Sequence, residues 1–125
     1  MVRDPFREDA EPELEPVLSS LVDEDSRTII CHLNDPLTAG ELSEAADIPL
    51  STTYRKLDRM VDASLLEELT EIRPGGRHTT RYRVDFENVQ VSLGEDCSFD
   101  VTVTRPARTA DERLAYLWTE VKKGV

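Results

Sequence analysis

Between residues 38 and 64 the apolar positions predict two helices joined by a tight turn. Thr38 with Glu41 three positions later has the form of a capping box, and Leu42, Ala45 and Ala46 give the short helix that follows one apolar face. Asp47, Ile48 and Pro49 end it, because proline disfavours helical geometry in the residue before it and suits the first turn of a new helix. Leu50, Tyr54, Leu57 and Val61 then recur at spacings of four, three and four, which predicts an amphipathic helix buried on that face. Upstream, Val17, Leu18, Leu21 and Val22 fall at helical spacing over residues 16–22. After the break at Asp23, Glu24 and Asp25, a second helix capped by Ser26 or Asp25 turns Ile29, Ile30 and Leu33 inward and ends at Asp35-Pro36.

Downstream the period shortens to two. Leu69, Glu71 and Arg73 alternate, residues 74–78 (Pro-Gly-Gly-Arg-His) form a turn, and Tyr82, Val84 and Phe86 alternate on the return, which predicts a β-hairpin. A second hairpin follows, with Val89, Val91 and Leu93 in one strand, a turn at Gly94, Glu95 and Asp96, and Cys97, Phe99, Val101 and Val103 in the other. It is expected to extend the core rather than to wall an effector pocket, since no polar cluster converges there. Past Arg105-Pro106, Thr109 with Glu112 repeats the capping-box form. Ala110, Leu114, Leu117, Trp118 and Val121 then share one helical stripe. In so short a chain that stripe, with the only tryptophan, suits a two-fold seam, so Leu114, Leu117, Trp118 and Val121 are the expected dimer interface.

The expected fold is therefore α+β, with an acidic disordered tail over 1–15, a helix-turn-helix with a β-wing over 16–86, a hairpin extension over 87–105 and a dimerisation helix over 106–125. The 125 residues suit one domain with its own core. They contain no apolar run long enough to cross a membrane and no signal-peptide stretch, so a cytoplasmic location is expected and a membrane is not an expected partner.

Charge at first argues against a polyanion partner, because 26 acidic residues outweigh 15 basic ones for a net charge of -11. Its distribution along the chain points the other way. Residues 51–83 hold seven basic and five acidic groups, and no acid lies from Ile72 to Val84. At 100° per residue, Thr52, Arg55, Lys56 and Arg59 point away from the predicted buried face of the second motif helix. Such a strip can enter a DNA major groove, where arginine bonds guanine edges and hydroxyls reach bases or phosphates. The wing can lie along phosphates or put an arginine into the minor groove. The expected contacts to double-stranded DNA are Ser51, Thr52, Thr53, Arg55, Lys56 and Arg59 from the helix, with Arg73, Gly75, Gly76, Arg77, His78 and Arg81 from the wing. The acid excess and the scarcity of lysine suggest a protein adapted to concentrated salt, where counterion release contributes little to DNA affinity.

Other chemistries find less support. Cys31 and Cys97 lack metal-ligand spacing; Cys31 is expected in the core, with a redox-sensing thiol as the sharper option. His78 has no second histidine or carboxylate nearby, and no nucleophile arrangement or phosphate-cradling loop is present, so neither an enzyme nor a cofactor or metal is expected.

Leu37-Thr38 through Leu42, the run from Ile48 to Leu57, Leu65-Leu66, and Gly75-Gly76-Arg77 with Tyr82 carry a resemblance. Residues 16–86 resemble the winged helix-turn-helix domain of the ArsR-like superfamily of prokaryotic regulators, and the whole chain looks like its small acidic haloarchaeal versions. The resemblance implies a dimeric transcriptional repressor or activator whose second motif helix enters the major groove. Ser64 stands where such proteins usually carry glycine, which makes a left-handed helix end less assured. The reading helix has no cysteine, so the thiolate pair of the metal-sensing members is missing. The alternatives are a regulator switched by Cys31 and a winged module that binds protein and no longer binds DNA.

Overall fold

The computed structural model describes residues 12–106. The expected dimerisation helix and most of the acidic tail lie outside the described residues. Four helices come first: α1 (Leu14–Val22), α2 (Glu24–His32), α3 (Ala39–Ala46) and α4 (Leu50–Asp62). The two-residue strand β1 (Leu37–Thr38) precedes α3, and β2 (Leu66–Ile72), β3 (His78–Val84), β4 (Asn88–Leu93) and β5 (Phe99–Thr104) follow α4. The fold is thus mixed α+β, with the helix-turn-helix ahead of the hairpins.

Local chemistry sets the helix ends. Asp23, earlier in the chain than the sequence suggested, caps α2 by accepting from the Ser26 backbone N–H at 2.9 Å. Thr38 and Glu41 form the anticipated capping box on α3, at 3.1 and 3.0 Å. Asp47 closes α3 in the left-handed region, with φ 56°. At the end of α4 the Ser64 N–H donates to Val61 O and the Leu65 N–H to Met60 O, both at 2.9 Å. This is a Schellman closure with Ser64 at φ 64°, so the left-handed end forms without the glycine.

Val17, Ile29, Leu42, Leu57, Met60 and Leu65 are fully buried at the centre of the core. Two helix faces differ from their predicted orientation. On α1 the buried positions are Val17 and Ser20, while Leu18 and Val22 are exposed. On α4 they are Thr53, Lys56, Leu57 and Met60, while Leu50 and Tyr54 are exposed. The buried stripe of α4 is thereby turned about 80° from the one that apolar spacing alone indicates. Cys31 also departs from expectation: it lies exposed on α2, as Cys97 does in the β4–β5 turn, where φ is 63° and the strand has not yet begun.

The wing is a three-stranded antiparallel sheet in the order β1-β3-β2. The two-residue β1, too short to show a period, pairs Leu37 with Tyr82 and Thr38 with Arg81, and so ties the start of α3 to the wing. The second hairpin stands as a separate two-stranded sheet; Val89, Val101 and Val103 pack partly against the core.

Truncating Leu57, which has no exposed surface, is expected to lower unfolding free energy by about 2–5 kcal/mol. Denaturant unfolding of Leu57→Ala checks this, and a loss below about 1 kcal/mol would show that α4 is not seated on the core as described.

Candidate nucleic-acid interface

Rotation of α4 decides which side chains meet solvent. Thr53, predicted as a DNA contact, is fully buried and its hydroxyl donates to Pro49 O at 3.0 Å. Lys56, predicted on the outward strip, is only 9 % exposed. Its Nζ lies 2.8 Å from Asp23 Oδ1, across 33 residues of sequence. A lysine stem is long enough to cover apolar surface while its ammonium reaches a carboxylate, which is how a cation comes to lie on the inner face. The pair also holds Asp23, which caps α2 and accepts from the Ser26 hydroxyl at 2.9 Å. Chiefly through the bond from Lys56, the Asp23 carboxyl is drawn down to about 2 from 3.8.

The exposed ridge of α4 consists of Ser51, Tyr54, Arg55, Asp58, Arg59 and Asp62, with Thr52 half-buried at its edge and Leu50 at the N-terminal end. Arg55 and Arg59 make no ion pair with another described residue. Helical spacing failed to mark Leu50 and Tyr54 as surface positions because their apolar character fitted a core stripe equally well.

The wing's charge is likewise divided. Arg81, predicted as a phosphate contact, is held between Glu41 Oε1 at 3.0 Å and Glu71 Oε2 at 3.2 Å. Bonding to Glu71 raises its pKa further, and the same guanidinium braces the carboxylate that completes the α3 capping box. Arg83 pairs with Glu67 at 2.8 Å, directly across the β2–β3 ladder. The stretch from Ile72 to Val84 lacks acid in sequence, yet the neighbouring strand supplies it. Arg73 and Arg77 remain exposed at the tip and pair with no described carboxylate. Between them Gly75 and Gly76 take φ 95° and 79°, a turn that side chains would strain. The Arg73 N–H closes this turn onto Arg77 O at 2.7 Å.

Between the wing and the motif helices lies a cleft lined by Thr38, Gly40, Tyr54, His78, Thr80 and Tyr82. Tyr82 is buried at its base, and burial, with Glu68, Asp58 and Tyr54 adding to it, pushes its phenol up to about 12. The phenol therefore stays protonated. His78 is exposed at the cleft's rim. Among the described residues no group of three histidine, cysteine, aspartate or glutamate side chains is arranged to hold a metal ion. No helix among them is long and apolar enough to cross a membrane.

The Asp23–Lys56 pair should show in acid. A carboxyl depressed in the folded state contributes stability above its unfolded value of 3.8, and the contribution is lost as pH falls toward about 2. Asp23→Asn keeps an acceptor for the Ser26 cap but removes the charge, so its stability is expected to fall less steeply than wild type's over that window. Equal slopes in denaturant unfolding at a series of pH values would contradict the pairing.

Comparison with curated proteins gives no match. Residues 21–68, from the end of α1 through α4 to the first residues of β2, match the family model described as a helix-turn-helix domain.

Proposed function

We propose that the protein is a sequence-specific DNA-binding transcriptional regulator that acts as a pair of copies. In this reading α4 lies in the major groove and the wing tip follows the phosphates or the adjacent minor groove. The observation that carries it is where the unpaired cations fall. Among described residues the cations without a described carboxylate partner are Arg27, Arg55, Arg59, Arg73 and Arg77, and four of these belong to the α4 ridge and the wing tip.

The character of the ridge favours base reading over a general phosphate grip. Asp58 and Asp62 share it with Arg55 and Arg59, so it carries no net charge. Arginine bonds the guanine edge, aspartate accepts from cytosine, serine serves either partner, and an apolar surface such as that of Tyr54 or Leu50 meets a thymine methyl. These contacts survive concentrated salt better than counterion release does. Arg73, Arg77 and His78 supply the positioning contacts, with the cleft beside Tyr54 as the path for a strand. Leu114, Leu117, Trp118 and Val121 hold the copies together, which sets two reading helices on successive half-sites of a pseudo-palindrome. We assign no catalytic role to any of these groups.

Selection from random duplexes in high potassium salt, followed by gel shifts, tests the proposal. Arg55→Ala or Arg59→Ala is expected to lose about 1–3 kcal/mol of discrimination for the selected site. Arg77→Ala should weaken all duplexes alike and reduce the salt slope by about 1. Equal binding by wild type and the Arg55/Arg59 double variant across a salt titration would refute the reading.

A further inference from the structure

The β4–β5 hairpin has one entirely apolar face. Its register sets Val89 opposite Val103, Val91 opposite Val101 and Leu93 opposite Phe99, all on the same side. Polar residues such as Gln90, Ser92 and Thr102 fill the other side. Only the base of the apolar face is used: Val89, Val101 and Val103 pack on the core. Toward the tip, Val91, Leu93 and Phe99 are 45, 64 and 60 % exposed. α1, which borders β5, also exposes Leu18 and Val22.

We infer that this face seats residues 109–121 of a second copy of the chain, and that reciprocal exchange of the two segments forms the seam between copies. The inference rests on the paired reading above and names the surface that the seam uses. Three observations carry it. The first is length. Nineteen residues follow Pro106, and their apolar stripe from Ala110 to Val121 would span about 17 Å as a helix. The hairpin face from Val89 to Leu93 runs about 14 Å, so the two surfaces are matched.

The second is charge. Residues 1–106 carry a net charge of -12, whereas residues 107–125 hold four cations against three acids. At the hairpin tip Glu95 and Asp96 stand without a cation in the turn. Two such acidic bodies repel; residues 109–121 themselves hold three acids and one cation, and it is Lys122 and Lys123 directly after them that supply cations for Glu95 and Asp96.

The third is area. A stable pair needs about 800 Å² from each partner, and the exposed side chains of one hairpin reach only a fraction of that. Folding the segment onto its own hairpin would consume both apolar surfaces inside one chain. Away from the α4 ridge and the wing, the described residues would then offer no comparable apolar surface to join two copies. A two-fold exchange uses each surface twice.

The test is the mass of the full-length chain in concentrated salt by sedimentation, read together with emission from Trp118, the only tryptophan. Wild type is expected to be a dimer with blue-shifted emission that moves to the red on dilution. Phe99→Asp should raise the dimer dissociation constant by about tenfold or more and redden Trp118, with the helical circular dichroism of the core retained. Leu117→Asp, which leaves the hairpin and core untouched, should do the same. A monomeric wild type whose Trp118 emission is blue at every dilution would place the segment on its own chain and overturn the inference, as would a Phe99→Asp dimer of unchanged affinity. Binding to a single DNA half-site is measured alongside. Its retention in a monomeric variant separates the seam from DNA reading, and its absence from wild type refutes the proposed function independently of the mass.

Discussion

Everything at the candidate interface follows from how α4 is seated about its own axis. Thr53, Leu57 and Met60 bury one side of the helix, and Lys56 extends that side until its ammonium meets Asp23 at the junction of α1 and α2. An ion pair so little exposed contributes modest net stability, because desolvation offsets much of the attraction. Its effect is on geometry. With Lys56 drawn inward, Arg55 and Arg59 emerge on the opposite ridge and Tyr54 borders the cleft against the wing. Removing either partner would leave the other a little-exposed charge without its counter-ion, so the pair also penalises other rotations of the helix.

The wing is governed by the same division between cations that brace and cations that stay free. Arg81 links the α3 capping box to the middle strand of the sheet, Arg83 is matched across the ladder by Glu67, and Arg105 donates to the carbonyls of Ser64 and Asp85 at 2.6 and 2.9 Å. Each of these guanidiniums fixes one element to another. Those with no carboxylate partner among the described residues, Arg73 and Arg77, sit at the tip, where Gly75 and Gly76 take the positive φ the turn requires. A net charge of -11 is compatible with a basic wing tip because no acid lies from Ile72 to Val84 and Glu67 and Glu71 on the neighbouring strand are engaged by Arg83 and Arg81.

Much of this was legible in the chain. The capping box at Thr38, the stop at Ile48-Pro49 and the period-two alternation of both hairpins are local signals, and each appears where local physics puts it. What sequence did not show is non-local. A lysine on an amphipathic helix looks solvated until a carboxylate 33 residues away receives it. Arg81 and Arg83 looked like a free basic run because Glu67 and Glu71 belong to the other strand, although a register drawn from the turn would have set Glu67 across from Arg83. Ser64 adopts the left-handed end because its backbone N–H and that of Leu65 close α4.

The most direct test of this division is nuclear magnetic resonance of the arginine side chains during titration with a selected duplex. The Nε–H signals of Arg55 and Arg59 are expected to shift strongly, with smaller changes at Arg73 and Arg77, while Arg81, Arg83 and the Lys56 ammonium hold their free-protein positions. Large shifts at Lys56 and Arg81 with Arg55 and Arg59 unmoved would contradict the account at its centre.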